Sequence, residues 1–239
     1  MQTILKKIRK ADEDFHLLGK HDTVVVGVSG GKDSVLLLHA LTYYQRFKHK
    51  SFTLIGVYLD FGFENMDISC VSEFCKKEKI TFYIEKTNIY EILKHYPKKN
   101  KTLDCSRCSS LKRGAIINVA QKYGANKVAF AHHADDAIET LFLNAFYGAK
   151  LQTFQPKIHL DDKNIDFIRP LIYTEEKDII KTVKHLHLPI VKSACPNDGL
   201  TKRQSVKTLL AEIEGNYKGS KQNLLNLLSN EDIRLWRKQ

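Results

Sequence analysis

The sequence lacks any long uninterrupted hydrophobic run. Its longest apolar stretches, residues 23–28 and 35–38, are far shorter than the roughly 20 residues that a membrane-spanning helix needs. Charged residues interrupt the first 15 positions, MQTILKKIRKADEDF, so this segment has no apolar core of the kind that a secretory signal peptide carries. We therefore expect a cytoplasmic protein with no membrane partner.

Proline is scarce, and the number of cysteines is odd. The 5 prolines and 12 glycines form no linker, and hydrophobic residues at 43% with charged residues at 27% are typical of a globular protein. Five cysteines without an export signal argue against a disulfide framework and favour thiol chemistry or metal ligation. Acidic residues are outnumbered, 27 against 38 Lys and Arg, and the net charge of +11 predicts attraction to polyanions, with nucleic acid as the leading candidate.

Strand-like and helix-like segments alternate through the first part of the chain. Runs of β-branched and other apolar residues predict strands at 23–28, 51–59, 80–85 and 127–131, with helices between them. This alternation predicts an α/β fold with a doubly wound parallel sheet, covered by helices on both faces. Alternating apolar residues around a turn at 161–164 predict an antiparallel hairpin, followed by helices at 175–187 and 202–214 and a polar tail.

The same pattern predicts three segments that together form one compact unit. Residues 1–20 are expected to form an N-terminal helix, and residues 21–190 the main domain. Residues 191–239 are expected to form a cysteine turn, a helix and a tail that pack on that domain.

The segment SGGKDS, residues 29–34, follows the first predicted strand and opens the next helix. Open parallel sheets bind ligands beyond the carboxyl ends of their strands. Two adjacent glycines let backbone N–H groups approach an anion at a helix N-terminus, so phosphate is the natural occupant. The spacings of the P-loop kinases and of the dinucleotide fingerprint are both absent. The alternative is a plain strand-to-helix turn capped by Ser29.

The cysteines fall into two groups. Cys105 and Cys108 form a C-x-x-C pair at the start of a predicted helix, where nearby basic residues should favour ionisation of both thiols, and Cys195 lies in a late turn. Cys70 and Cys75 lie on different faces of one predicted helix and are expected to be core thiols. Spacing alone leaves open a redox pair, a zinc half-site closed by His132 or His133, and an iron–sulfur cluster with three protein thiolates.

Several motifs together resemble the tRNA 2-thiocytidine synthetases of the N-type ATP pyrophosphatase (PP-loop) superfamily. They are SGGKDS, CSRCSSLKRG at 105–114, AHHADDAIETLFLNAFYGAKL at 131–151, IRPL at 168–171 and the cysteine turn before TKRQ at 201–204. The resemblance covers residues 3 to 212 approximately. It implies an adenine nucleotide alpha hydrolase-like (HUP-like) fold with a small hairpin and helical C-terminal extension.

The resemblance implies an enzyme, an ATP-dependent sulfurtransferase that modifies tRNA. Such an enzyme adenylates C2 of a cytidine, C32 of the anticodon loop, and replaces its oxygen by sulfur delivered through a 4Fe-4S cluster, with ATP and Mg²⁺ as further cofactors. The implied partners are tRNA and a cysteine desulfurase or another sulfide donor, and a homodimer is compatible with the family.

The resemblance also assigns residues of this sequence to roles. Residues that would bind ATP are Ser29, Gly30, Gly31, Lys32, Asp33, Ser34, Gly114 and His132. Residues that would act in catalysis are Asp33, Lys112, Asp135 and Asp136. Metal ligands would be Cys105, Cys108 and Cys195 for the cluster, and Asp33 and Asp136 for Mg²⁺. Asp136 and Glu139 also match a helix capping box, which is a purely structural alternative.

Two features depart from the family pattern, and alternatives remain. Members often carry two cysteines in the late turn and a longer C-terminus, whereas this chain has Cys195 alone and a short tail. One alternative is a PP-loop ATP pyrophosphatase that acts on another base or a small molecule, with 2-thiouridine-type or lysidine-type chemistry. Another is a nucleotide-binding regulator without turnover.

Basic and aromatic residues near the cysteine segments are candidates for RNA contacts. Tyr96 or Tyr147 could stack on a splayed base. The basic candidates are Lys98, Lys99, Lys101, Lys202, Arg203 and Lys207.

Overall fold

The structure, a computed structural model, describes residues 1–46, 51–97, 103–197, 199 and 202–229. Its contacts divide the chain into two compact units. The first contains Met1–His133 and Gln155–Asp198, and the second contains Ala134–Phe154 and Gly199–Gln239. This division differs from the three segments expected from the sequence, because the helix that follows residue 133 packs with the C-terminal helices.

A six-stranded sheet runs through the first unit in the described part of the chain. Its strands are β1 (Thr23–Gly27), β2 (Thr53–Asp60), β3 (Thr81–Lys86), β4 (Lys127–Ala129), β5 (Lys157–Leu160) and β6 (Ile165–Ile168). Their order is β3-β2-β1-β4-β6-β5, and all neighbours are parallel except β5 and β6. The predicted doubly wound parallel sheet and the predicted hairpin are both confirmed, and β6 joins the parallel sheet beside β4.

The described helices surround this sheet or form the second unit. They are α1 (Gln2–Phe15), α2 (Lys32–Tyr44), α3 (Ser69–Lys77), α4 (Ile89–His95), α5 (Cys105–Lys122), α6 (Ala134–Gly148), α7 (Glu176–His185), α8 (Lys202–Asn216) and α9 (Ser220–Leu228). Helices α6, α8 and α9 pack together as the second unit. No helix within the described ranges is both long and apolar enough to cross a membrane.

Helices α2 and α5 cover opposite faces of the sheet. Successive residues of a strand face opposite sides; on β2, Ile55 and Val57 pack in the cluster that contains Ile116 of α5. Between them, Gly56 faces Leu38 of α2, and a Cβ added at Gly56 would lie 2.9 Å from Leu38 Cδ2. Since any side chain there would push α2 off the sheet, glycine permits the close approach of that helix.

Helix α1 is tied to α2 through a buried carboxylate. Asp12 is 2% exposed, and its two oxygens accept hydrogen bonds from the Tyr44 hydroxyl at 2.7 Å and from the Leu18 N–H at 2.9 Å. The chain leaves α1 at His16, whose φ of 49° is left-handed, and so the helix ends earlier than the expected residue 20.

Replacing Tyr44 by phenylalanine should therefore destabilise the protein by about 1–3 kcal/mol, because it leaves a buried carboxylate oxygen without this donor. Urea unfolding would measure the loss. Tyr173→Phe is the matched control, since its hydroxyl donates to the exposed Asp14 at 2.9 Å. If Tyr44→Phe lowered the free energy of unfolding no more than Tyr173→Phe does, this account would be contradicted.

The C-terminal tail and the two cysteines of α3 differ in part from expectation. The segment after α8 was expected to be a polar tail; α9 forms there after Gly219, whose φ is 86°. Cys75 is buried, as expected for a core thiol, and burial raises its pKa to about 11. Cys70 is exposed, so the expectation of a core thiol is wrong there, because this turn of α3 faces solvent.

Candidate active site

The turn between β1 and α2 contains the phosphate loop, residues 29–34, and its two serines hold it closed. The Ser34 hydroxyl accepts a hydrogen bond from the Ser29 N–H at 3.1 Å and donates one to the Gly31 carbonyl at 3.0 Å. Because a hydroxyl has only one proton to donate, the Ser29 hydroxyl must be the donor in its 3.1 Å contact with Ser34 Oγ. The Gly31 N–H in turn donates to Ser29 Oγ at 3.3 Å, so hydrogen bonds within the loop fix its shape.

Gly30 occupies a position that only glycine fits comfortably. Its φ is 84°, a left-handed value that side chains rarely adopt. A Cβ added there would lie 3.0 Å from Ile68 Cδ1 and 3.2 Å from Val191 Cβ. Its carbonyl accepts a hydrogen bond from the Val191 N–H at 2.9 Å, which ties the phosphate loop to the segment after α7.

Lys32 is half-buried at the start of α2 between two carboxylates. Its Nζ lies 3.1 Å from Asp33 Oδ2 and 3.0 Å from Glu176 Oε1. Burial alone would lower the pKa of Lys32, but the Asp33 and Glu176 carboxylates outweigh burial and raise it. The lysine therefore stays charged at neutral pH beside the loop, where it can face a phosphate.

Asp33 has one oxygen engaged and one available. Its Oδ2 binds Lys32, whereas its Oδ1 is buried and accepts no hydrogen bond from any residue that the structure describes. The Nε2 atom of the buried His133 lies 3.8 Å from Asp33 Oδ1. A buried carboxylate oxygen in this position is a suitable ligand for a hard cation.

Residues after β4 lie at the same edge of the sheet as the phosphate loop. Strand β4 is parallel to β1 and adjacent to it, so both end on this side. The centre of the Phe130 ring lies 5.9 Å from the centre of the His132 ring and 5.1 Å from that of the Phe167 ring. The expected position of His132 at the carboxyl edge of the sheet is thus what the structure describes.

Asp135 and Asp136 belong to the second unit, in the first turn of α6. Asp135 pairs with Lys221 of α9, and Asp136 with Arg203 of α8 at 3.4 Å. Arg203 also binds the buried Glu139 at 3.0 Å, and burial raises the pKa of Glu139 despite that contact. Arg203 was expected among the basic residues for RNA, but here it joins helices α6 and α8.

The C-x-x-C pair lies in the first turn of α5, and Asp104 caps that helix. The Asp104 side chain accepts hydrogen bonds from the N–H groups of Ser106 and Arg107. Burial raises the pKa of the Cys108 thiol, and the neighbouring Cys195 and Cys105 act in the same direction, while Lys112 opposes them. The expectation that Cys108 ionises easily is therefore wrong, because burial outweighs the positive surroundings.

The three candidate cluster cysteines come into one neighbourhood. Cys108 interacts electrostatically with both Cys105 and Cys195, although Cys195 comes from a distant part of the chain. The Asn197 amide, in the same turn as Cys195, donates to the Leu103 carbonyl at 2.8 Å and to Cys105 Sγ at 3.2 Å. The late turn therefore lies directly against the start of α5.

One short piece of chain connects the phosphate loop with these thiols. We call residues 191–197 the bridging segment: Val191 is bonded to Gly30, Asn197 is bonded to Cys105, and Cys195 lies between them. Seven residues span at most about 25 Å when fully extended. This length sets an upper limit on the distance between the two ends of the bridging segment, one bonded to the phosphate loop and the other to Cys105.

No group of three or more His, Cys, Asp or Glu side chains in the described ranges is arranged to hold a metal ion. All ligands of a single ion must meet at one point, as in a structural zinc site. The cysteines of a four-iron cluster differ in this respect, because each sulfur binds its own iron. The ligands of a cluster are correspondingly farther apart.

The other expected site residues lie on α5. Lys112 and Gly114 are exposed, and Lys112 Nζ lies 4.7 Å from the centre of the Phe61 ring. Lys98, Lys99 and Lys101 lie outside the described residues.

Two residues of the site carried no recognisable sequence signal. Glu176 binds Lys32, and Asn197 binds Cys105. Each acts across a long sequence separation, and no local motif marks either residue.

Comparisons with known proteins place the chain in a family. The family model of the PP-loop domain matches residues 1–213. The tRNA-cytidine(32) 2-sulfurtransferase of Citrifermentans bemidjiense is 36% identical over 229 residues, which is 95% of this chain and 89% of that protein. The protein of the same name from Alcanivorax borkumensis is 34% identical, covering 96% of this chain and 82% of its own.

Solved structures show the same fold at lower identity. The U34-tRNA thiolase NcsA from Methanococcus maripaludis, described with its [4Fe-4S] cluster, has a TM-score of 0.78 at 23% identity and covers 98% of this chain and 79% of that one. The NH3-dependent NAD synthetase from Campylobacter jejuni has a TM-score of 0.52 at 15% identity, covering 96% of this chain and 91% of that one. On the family model and the two curated relatives, the chain belongs to the PP-loop domain family and, within it, to the family of the tRNA-cytidine(32) 2-sulfurtransferases.

Proposed function

We propose that this chain is an ATP-dependent tRNA thiolase that converts cytidine 32 of the anticodon loop to 2-thiocytidine. The observation that carries the proposal is the bridging segment, which joins the phosphate loop at Gly30 to the cysteine group at Cys105. Relatives at 34–36% identity that span most of the chain carry this activity in their names. An RNA substrate is also consistent with the net charge of +11.

The phosphate loop would bind the pyrophosphate part of ATP. The loop lies at the start of α2, where the positive end of the helix favours an anion. Lys32 is charged beside the loop and would stabilise the pyrophosphate as it leaves. The two serines keep the loop in the shape that ATP requires.

Mg²⁺ fits the available oxygen of Asp33. That oxygen is buried, carries negative charge and accepts no hydrogen bond from the described residues. Mg²⁺ prefers carboxylate and phosphate oxygens, so Asp33 would hold it. A bound ion would supply positive charge that offsets the negative charge of the phosphates.

A 4Fe-4S cluster fits the cysteine group. Cys108 interacts electrostatically with both Cys105 and Cys195, Lys112 supplies positive charge beside Cys108, and Asn197 donates a hydrogen bond to Cys105. A bound cluster would supply iron that can take up an external sulfide. Cys105, Cys108 and Cys195 would be its protein ligands.

The proposed reaction has two steps on the base. The C2 oxygen of the cytidine attacks the α-phosphorus of ATP, a phosphorus–oxygen bond breaks, and pyrophosphate leaves. A sulfide then forms a bond to C2, AMP departs with the original oxygen, and the base is left with a thiocarbonyl group. Adenylation makes this possible because AMP is a far better leaving group than a bare oxygen.

The test uses the chain purified without oxygen, with iron and sulfide restored. Incubation with ATP, Mg²⁺, sulfide and a tRNA that carries C32 should yield 2-thiocytidine, detected by mass spectrometry of nucleosides, together with pyrophosphate. The same tRNA with uridine at position 32 should yield neither. Pyrophosphate release without thiolated cytidine would overturn the proposal, and thiolation of another base would favour the 2-thiouridine-type alternative.

Ser34→Ala should reduce the use of ATP. The change removes the hydroxyl that binds both Ser29 and Gly31, so the loop loses its fixed shape. We expect kcat/KM for ATP to fall roughly 10-fold to 100-fold, since about 1–3 kcal/mol of positioning is lost. The rate of pyrophosphate release at several ATP concentrations measures this kcat/KM. Ser110→Ala is the control, because that exposed hydroxyl donates to the Ser106 carbonyl of its own helix, and an equal effect of both variants would contradict the role of Ser34.

Three further points remain predictions. The sulfide is expected to come from a cysteine desulfurase or another donor, and the chain is compatible with a homodimer. An enzyme that uses ATP and tRNA is expected to act in the cytoplasm.

A further inference from the structure

Asn197 occupies an unusual position between the two parts of the cysteine group. Its amide nitrogen lies 2.8 Å from the Leu103 carbonyl oxygen and 3.2 Å from Cys105 Sγ. An amide has two N–H donors, and both are used here. The orientation is determined by Leu103, because a carbonyl can only accept a hydrogen bond and must face the nitrogen rather than the oxygen of the amide.

These two hydrogen bonds link chain segments that are 92 and 94 residues apart. Asn197 is two residues after Cys195, so the amide fixes the end of the bridging segment relative to Cys105. The beginning of that segment is held by the Val191 N–H on the Gly30 carbonyl at 2.9 Å. Within the turn, the Cys195 N–H also donates to the Ser193 hydroxyl at 3.2 Å. Asn197 is therefore the described side chain that holds the Cys195 turn to the start of α5.

We propose that Asn197 is a positioning residue of the sulfur site, which holds Cys105 and Cys195 in register and tunes the cluster through its hydrogen bond to the Cys105 sulfur. This inference rests on the proposed function. A hydrogen bond to a ligand sulfur stabilises the more negative, reduced state of a cluster, because a donor proton is attracted more strongly as charge on the sulfur grows. Asn197 therefore raises the reduction potential and slows loss of iron.

The test compares Asn197→Ala with the wild-type chain after anaerobic reconstitution. We expect the variant to load iron, because the three cysteines are intact, but to have a more negative reduction potential in a titration followed by electron paramagnetic resonance. We also expect a chelator to remove its iron several-fold faster. Asn164→Asp is the control for general effects, because Asn164 lies in the exposed β5–β6 turn, and aspartate tolerates its φ of 50°.

A second variant protects the test against misfolding. Asn197→Asp has nearly the same shape, but its carboxylate can only accept and would face both the Leu103 carbonyl and the Cys105 sulfur. Reconstituted Asn197→Asp should lose iron at least as fast as Asn197→Ala while retaining the wild-type thermal unfolding midpoint without iron. If Asn197→Ala does not load, an unchanged midpoint together with restored loading in Asn197→Ser, which retains one donor, would support the inference.

The possible failures can be told apart. A wild-type chain that binds no cluster and makes no 2-thiocytidine would overturn the proposed function and this inference together. A wild-type chain that does both, with Asn197→Ala at the same potential and the same rate of iron loss, would overturn only the role of Asn197. The inference would also be overturned if, without iron, every Asn197 variant had a lower thermal unfolding midpoint than the wild type. Asn197 would then support the stability of the whole protein.

Discussion

Replacing Cys108 by serine should abolish the formation of 2-thiocytidine. Serine has nearly the volume of cysteine, but its hydroxyl does not replace a thiolate as a ligand of iron. Loss of one of three ligands should cost on the order of 100-fold or more in thiolated product, since even residues that only support a ligand cost 10-fold to 100-fold. Nucleoside mass spectrometry and the iron content of the anaerobically reconstituted chain measure the two effects.

Cys70→Ser provides the matched control for this experiment. Cys70 is an exposed thiol on α3, and the same exchange there removes a sulfur without touching the cysteine group. Nucleotide binding should survive in both variants, because the phosphate loop lies at the other end of the bridging segment. Full thiolation by Cys108→Ser, or equal losses in the two variants, would show that the cysteine group is not the sulfur site.

The parallel sheet and the phosphate loop could be predicted because their signals are local. The β-branched run before residue 29 predicts a buried strand, and two glycines followed by a helix pattern predict an anion site at its end. The hairpin at β5 and β6 was visible in the same way. In each case, residues that are adjacent in sequence also act together in the structure.

The parts that could not be predicted depend on contacts between distant segments. Asn197 contacts Cys105 across 92 residues, and Glu176 reaches Lys32 from the start of α7. The raised pKa of Cys108 has the same origin, because burial is a property of tertiary packing and not of the C-x-x-C motif. Helix α9 is a different case, because its leucines at 224, 225, 227 and 228 do form an apolar stripe that the sequence contains.

Gly30→Ala should reduce the rate of pyrophosphate release about 100-fold, a loss as large as the one expected for thiolation in Cys108→Ser. Alanine at a φ of 84° costs about 1–2 kcal/mol in backbone strain. Its Cβ would lie 3.2 Å from Val191 Cβ, tighter than ordinary contact, so Val191 or the loop has to move. Because Val191 begins the bridging segment, the shift would displace both the phosphate site and the turn that carries Cys195. A misplacement on the order of 1 Å is enough to cost 100-fold in a positioned reaction.

Gly62→Ala separates backbone strain from the contact with Val191. Gly62 has a φ of 80°, but a Cβ added there meets nothing within 4 Å. It should lower the free energy of unfolding by about 1 kcal/mol and leave pyrophosphate release within about twofold of the wild type. If Gly30→Ala lost no more activity than Gly62→Ala, the close packing of Val191 on the phosphate loop would have no role in catalysis. A selective loss in Gly30→Ala, with thermal unfolding similar in the two variants, would tie ATP use to the chain segment that also presents Cys195.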